Sequence, residues 1–416
     1  MSRRRAPLSP EARDLLAAMN GLSRRRLLQA AGLGGVALAA AACGAGGADD
    51  PSSSAAPQPT GSSTSSSSSA PAPEEDKVVI WSNWPLYIDV DDENGSNPSL
   101  AAFTAQTGIK VEYSDDINDN NEFYAKVRAQ LEQGQPIERD IITLTDWMAA
   151  LWISNGYVQK FDRALVPNAK NLIPRLASVP FDPTREYSLP WQSGYGALGW
   201  NKELLKGALG TDTMTSLDQL FDPRLKGRIT VLSEMRDTMG IILAYQGADP
   251  SNFTEDQWSA ALAFLTEQVA SGQIRQVTGN DYAGALDNGD VIAVIGWSGD
   301  MIQLGDAFGV ALPETGATLW TDNLMVPASA VHPRNAATVF NYYYEPKVAA
   351  EVAAYVQYIC PVLGAKEAMA EIDPTLVDNP YIFPTEADLN RAYVFMTLTP
   401  EQQDSYERGF QKAIGN

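Results

Sequence analysis

Residues 109–145 read IKVEYSDDINDNNEFYAKVRAQLEQGQPIERDIITLT, and this stretch decides the fold class. IKVEYS is a strand, NEFYAKVRAQLEQG is a helix closed by Gly134, and RDIITLT is a second strand. The pattern repeats outward in both directions. Upstream, VVIW (78–81) reads as a strand and SLAAFTAQTG (99–108) as a helix ending in glycine. Downstream come a helix at WMAALWISNG (147–156), a strand at GRITVL (227–232) and a helix at MRDTMGIILAYQ (235–246), with a buried strand at DVIAVIGWS (290–298). LWTDNLMVP (319–327) also reads as a buried strand, although it carries Asp322. Strands alternating with helices predict an α/β architecture. In such sheets ligands bind beyond the carboxyl ends of strands, in the loops that lead into helices.

Composition narrows the functional classes. The 416 residues allow two lobes, and 44% hydrophobic with 19% charged residues is ordinary for a globular protein. The charge is not ordinary: 30 Lys and Arg stand against 51 Asp and Glu, a formal net of −21. Seven basic and two acidic residues fall in the first 42 positions, so the remainder carries 23 − 49 = −26. Nucleic-acid binding needs clustered Lys and Arg and is therefore excluded, whereas cationic solutes are attracted. The single histidine, His332, and the absence of a G-x-S-x-G elbow argue against a Ser-His-Asp hydrolase. One His and two Cys argue against zinc. No cofactor is expected, and a carboxylate-only hydrolase remains the enzymatic alternative. The acidic stretches DVDDENGSN (89–97) and DDINDNNE (115–122) fail as EF-hand loops. Gly95 at the invariant glycine would put Val90 and Ala101 at ligand positions, and the second stretch has no glycine. Both are expected to be solvated loops.

The amino-terminal 42 residues read as an export signal. Ser23-Arg24-Arg25-Arg26-Leu27-Leu28 resembles a twin-arginine motif, and an Ala- and Gly-rich apolar stretch follows. The run AAAC-G resembles a bacterial lipobox and implies lipidation of Cys43, with the protein held at the outer face of the cytoplasmic membrane. Residues 43–76 are a Ser/Pro/Ala/Gly tether with almost nothing to bury. Cys360 then remains a single buried thiol, so no structural disulfide is expected.

Aromatic and acidic side chains collect at the strand ends. Trp84 and Tyr87 follow the first strand, Thr145 and Trp147 follow RDIITLT, and Trp297 ends DVIAVIGWS. Glu234 and Asp237 open a helix, for which Ser233 is the expected N-cap. Trp320 and Asp322 are two apart on one strand and face the same side. No Lys or Arg is near them in sequence. The closest are Arg275 before and Arg334 after. Carboxylates hold organic ammonium groups by charge-assisted hydrogen bonds, and aromatic faces hold them by cation–π attraction of about 0.5–2 kcal/mol each.

Together these residues resemble the bacterial spermidine/putrescine-binding proteins, solute receptors of ABC importers, over about residues 77–416. The resemblance rests on NW-x-x-Y (Asn83, Trp84, Tyr87), TGIKVEYS with NE-x-YAK, NGYVQKFD, FDPTREYSLPWQSGYGALGWN and the W-x-D of Trp320 and Asp322. It implies a type II periplasmic-binding-protein-like fold. Each of two lobes would be a mixed sheet flanked by helices, with the ligand cleft between them. One lobe would comprise 77–195 plus 323–385, the other 196–322 plus 386–416, with hinges near Tyr195 and Asn323. The expected ligand-binding set is Trp84, Tyr87, Thr145, Trp147, Glu234, Asp237, Trp297, Trp320 and Asp322. Thr145 stands where the family has Ser and Trp147 where it has Tyr. The two acids 234 and 237 are exchanged in length, and Cys360 falls where the family often has Tyr. The implied protein is a monomeric, non-enzymatic receptor that delivers a polyamine to an ABC permease. A receptor for another cationic or amino-acid-like solute is the rival, and it would need Arg236 in the cleft.

Overall fold

The computed structural model describes residues 76–415 except Asp92. The export signal, Cys43 and the tether lie outside the described residues. An eleven-stranded sheet carries the fold. Its strands are β1 (Val78–Ser82), β2 (Lys110–Ser114), β3 (Ile141–Thr145), β4 (Val158–Gln159), β5 (Ser188–Asn201) and β6 (Ile229–Leu232). They continue as β7 (Ile274–Thr278), β8 (Ala293–Trp297), β9 (Phe308–Ala311), β10 (Ala317–Pro327) and β11 (Ala392–Tyr393). The main order is β2-β1-β3-β10-β5-β8-β6-β7.

The expected strand–helix alternation is present. Lys110–Ser114, the helix Asn120–Glu132 and Ile141–Thr145 follow one another, and β2, β1 and β3 pair in parallel. Asp119 caps the helix by accepting from the amides of Asn121 and Glu122. Gly108, at φ +73°, ends the preceding helix Pro98–Thr107 in the left-handed conformation that glycine adopts without steric cost. A second parallel group, β8, β6 and β7, lies at the other end of the sheet.

Two long antiparallel strands join the groups. The amino-terminal part of β5 pairs along most of β10, whose carboxyl-terminal half pairs in turn with β3. The carboxyl-terminal part of β5 pairs with β8 and β9. The β5–β10 register slips between Thr321 and Asn323, where Asn323 faces Pro190, a residue with no N–H to donate. Asp322 sits at this irregularity, opposite Thr145 on β3. Irregularities of this kind twist a strand and re-aim a side chain.

Just beyond Asp322, the carboxamide of Asn323 joins two buried groups. Arg185 Nη1 donates to Asn323 Oδ1 at 2.9 Å, and Asn323 Nδ2 donates to Asp146 Oδ1 at 2.7 Å. Arg185 also donates to Ser188 Oγ and to the Leu176 carbonyl, and it holds a left-handed φ of +50°. Burial raises the Asp146 carboxyl to about 6, with the Asn323 hydrogen bond and the Arg185 charge opposing. Removing the carboxamide would strand a buried guanidinium and a buried carboxyl together. Asn323→Ala is therefore expected to destabilise the protein by about 3 kcal/mol in denaturant titrations.

Candidate functional site

The ends of β1, β3, β6 and β8 and the middle of β10 converge on one cavity. Its empty space, counted out to the mouth, is about 340 Å³. Trp84, Tyr87, Trp297 and Trp320 form its aromatic walls, completed by Pro85 and Tyr358. Thr145 and Asn280 contribute polar edges, and four acids line the rest: Glu234, Asp237, Asp300 and Asp322. Eight of the nine expected side chains thus meet in one place.

The walls hold one another edge to face. Trp84 meets Trp297 with centroids 5.8 Å apart, Tyr87 meets Tyr358 at 5.2 Å, and Trp320 meets Tyr358 at 5.3 Å. Trp84 Nε1 is tied to the Thr143 carbonyl at 3.0 Å. The turn at Pro85-Leu86, with Leu86 at φ +58°, carries the chain from Trp84 to Tyr87. On β5, Gly194 makes room for the rings. A Cβ there would lie 2.5 Å from the Trp320 ring and 2.7 Å from that of Tyr358.

The four acids are each no more than 5% exposed, and among the described residues none pairs with a Lys or Arg. Neutral donors hold some of them. Asp237 accepts from Trp297 Nε1 at 2.9 Å and Thr318 Oγ1 at 2.6 Å. Asp300 accepts from Asn280 Nδ2 at 2.9 Å and from the hydroxyls of Tyr282 and Tyr358. Glu234 accepts from Asn120 Nδ2 through one oxygen only. Its Oε1, Asp322 Oδ1 and Asn280 Oδ1 are buried acceptors without a hydrogen-bond partner. Burial raises Asp322 to about 7 and Asp300 to about 6. Glu234 is also raised, first by burial and then by the charges of Asp119 and Asp237. A cavity with orphaned carboxylate oxygens and flat aromatic walls favours an organic cation. No group of three or more His, Cys, Asp or Glu side chains among the described residues is arranged to hold a metal ion.

The stretch DDINDNNE is not simply a solvated loop. Ile117 and Asn120 are buried, and residues 118–121 bond to distant segments because their short amides and carboxyl reach across the site entrance. Ser233 Oγ donates to Asp119 Oδ2 at 2.7 Å, the Asn280 amide donates to Asn118 Oδ1 at 3.1 Å, and Asn121 Nδ2 donates to Glu407 Oε1 at 3.0 Å. Asn120 Nδ2 also reaches Thr145 Oγ1 at 2.9 Å. Ser233 therefore does not cap the helix Met235–Tyr245. Glu234 occupies that position, without a side-chain capping bond.

Trp147 is the expected residue that does not line the cavity. The Arg236 guanidinium lies 4.2 Å from its ring centroid, so a cation of the protein covers that face. Arg236 Nη2 reaches Gln403, and burial lowers its pKa to about 10, which leaves it charged. Arg236 is likewise absent from the lining, so the arginine required by an amino-acid ligand does not face the cleft. Tyr358, two residues before Cys360, supplies an aromatic wall from this segment. Cys360 is buried, with its thiol pushed up to about 12. Sequence reasoning missed Asp300, Asn280 and Tyr358. The first two follow the ends of β8 and β7 and were open to the strand-end rule. Tyr358 heads the same YICPVLG segment that contains Cys360.

Comparison with known proteins decides the family. Residues 99–384 match the family described as bacterial extracellular solute-binding protein. The chain belongs to this family. It is 26% identical over 342 residues to the spermidine/putrescine-binding periplasmic protein of Escherichia coli K12, covering 82% of this chain and 92% of that one. It is 27% identical over 355 residues to the putrescine-binding periplasmic protein SpuD of Pseudomonas aeruginosa, covering 81% and 92%. Among solved structures, one from Listeria monocytogenes assigned as a spermidine/putrescine ABC transporter superposes with TM-score 0.69 at 25% identity, covering 81% and 99%. AgtB of Agrobacterium, solved with agropinic acid, superposes with TM-score 0.64 at 19% identity, covering 82% and 99%. The fold is the two-lobed α/β architecture of periplasmic binding proteins. The solute-binding family is one of transport proteins, not enzymes, and the carboxylate-dependent hydrolase is set aside.

Raised carboxyl pKa values make the empty site destabilising at high pH. The folded state binds more protons than the unfolded state between the two pKa values, so stability is fullest below about pH 4 for these groups. It is lost as pH rises through about 6 for Asp300 and about 7 for Asp322. Asp322→Asn is expected to flatten the upper part of this pH dependence, by up to about 4 kcal/mol between pH 4 and 8. Denaturant midpoints measured across that range check this, and an unchanged slope above pH 6 contradicts it. Gly194→Ala is expected to displace the Trp320 and Tyr358 rings, visible as altered tryptophan fluorescence and a stability loss of about 1–3 kcal/mol.

Proposed function

We propose that this protein captures a polyamine of the putrescine/spermidine class outside the cytoplasm and delivers it to the permease of an ABC importer. Cys43 is its lipid attachment point at the outer face of the cytoplasmic membrane, and residues 43–76 form a tether. The observation that carries the ligand reading is the pair of buried, unpartnered acceptors Asp322 Oδ1 and Glu234 Oε1 in a cavity that no Lys or Arg lines. A ligand ammonium supplies the donors both lack, and methylenes between ammonium groups pack against Trp84, Tyr87, Trp297 and Trp320. Asp322 anchors one ammonium. Glu234, with Asp237 behind it, anchors another, and Thr145 assists at the edge. Trp147 under Arg236 supports the site from outside its lining.

Closure follows from the same arrangement. The lobes comprise 77–195 plus 323–385 and 196–322 plus 386–416, and β5 and β10 are the strands that pass between them. A dication held by the acids of 196–322 and by Trp84, Tyr87 and Thr145 of the other lobe favours the closed form over the open one by its differential affinity. The receptor acts as a monomer.

Calorimetric titration with putrescine, spermidine and spermine tests the reading, with γ-aminobutyrate and glutamate as controls. At least one polyamine is expected to bind at micromolar concentration or below, releasing protons near pH 6–7 as Asp322 and Asp300 ionise. Asp322→Asn is expected to weaken that binding by about 2–4 kcal/mol, the range for removing one partner of a buried charge pair. Tighter binding of the controls than of every polyamine would sink the proposal.

A further inference from the structure

A second cavity lies behind the strand that floors the first. Gly194 and Gly196 of β5 face the cleft walls, since a Cβ at either would meet Trp320, Tyr358, Thr318 or Asp237. Tyr195 between them points to the opposite face of the sheet, as alternation along a strand requires. It looks into a space of about 610 Å³, counted out to the mouth. Val310, Leu312, Pro380 and Tyr381 give this space apolar sides.

Two donors there lack partners. The Tyr195 side chain is 1% exposed, yet its hydroxyl forms no hydrogen bond. Arg391 lines the same space, and among the described residues its guanidinium forms no ion pair or hydrogen bond, although its charge adds to the Thr385 hydrogen bonds that lower the Asp388 carboxyl. A buried hydroxyl without a partner is costly, and a cation beside it is an anion receptor. The cavity is not simply anionophilic, because Asp388 and Glu314 stand at its edge. Each of these carboxylates already accepts from a threonine hydroxyl, Thr385 for Asp388 and Thr215 for Glu314, and each retains acceptor capacity. One cation, one free hydroxyl donor, two acids and apolar sides together match a zwitterion with a hydrophobic body.

We propose that this cavity is a second ligand site, which takes a small apolar amino acid or a close zwitterionic analogue. Its carboxylate lies toward Tyr195 and Arg391, its ammonium toward Asp388 and Glu314, and its side chain against Val310, Leu312 and Tyr381. The site is on the other face of β5 from the cleft and can be filled together with it.

The test is direct binding of L-phenylalanine and L-leucine to the full protein by ligand-observed NMR and calorimetry. Phenylalaninamide, which lacks the carboxylate, and 3-phenylpropionate, which lacks the ammonium, serve as probes of each end. At least one amino acid is expected to bind at millimolar concentration or below, and both truncated probes are expected to bind more weakly. Arg391→Ala, at an exposed position, is expected to weaken binding about tenfold, and Tyr195→Phe severalfold. Asp322→Asn and saturating putrescine are expected to leave it intact. The proposal is overturned if neither amino acid binds at millimolar concentration or if Arg391→Ala has no effect. It is equally overturned if Asp322→Asn or putrescine abolishes binding, since the ligand would then sit in the cleft.

Discussion

The constraint on which the rest depends is the burial of four carboxyl groups around one cavity whose lining contains no Lys or Arg. Burying an ionised carboxylate is costly unless it is paired or fully hydrogen-bonded. The fold meets part of that cost with neutral donors: indole, threonine, tyrosine and carboxamide groups drawn from five separate segments. It leaves the remainder unmet at Asp322 and Glu234. The energy withheld there is available to a ligand that brings its own donors. The aromatic rings add area without adding hydrogen-bonding demands of their own.

That arrangement requires the sheet to be continuous. Asp322 is placed by β10, which pairs with β3 on one side and β5 on the other, while Asp237 is held by Thr318 four residues earlier on the same strand. The register irregularity at Asp322 separates a regularly paired run from the buried Arg185–Asn323–Asp146 chain. Cavity-lining groups and joining strands are therefore the same residues: Asp322 lies on β10, which with β5 joins the two parallel groups of the sheet. Glycines at 194 and 196 make this possible, since larger residues would fill the space the walls occupy.

Trp147 illustrates how neighbouring chemistry redirects a residue. By sequence it belongs with the aromatic walls, and it stands at the same strand end as Thr145. Arg236 covers its ring from another part of the chain, and the pair forms a packed edge beside the cavity. The same contact holds Arg236 outside the lining, so one cation–π pair accounts for the displaced Trp147 wall and for the absence of the arginine that the rival reading needs. The acidic loop at 115–122 behaves similarly. Its composition reads as solvated, but its amides and carboxyl are spent on bonds to Ser233, Asn280 and Glu407.

By itself the sequence determined the α/β class, the helix ends signalled by Gly108 and Gly134, and the strand ends where aromatic and acidic groups gather. These follow from local propensity and spacing, which are properties of short segments. It also carried the motifs that place the chain among solute-binding proteins. Only the tertiary structure decided which strand ends meet, because Asp300, Asn280 and Tyr358 lie 42 or fewer residues from Asp322 in sequence yet share its cavity only once β8, β7 and the 358–360 segment are packed. It alone decided that Asp322 Oδ1 has no hydrogen-bond partner, since a missing hydrogen bond is a property of the whole surroundings. And it alone opened the space behind Tyr195, where residues 195, 310 and 391 come together through pairings that no local pattern encodes.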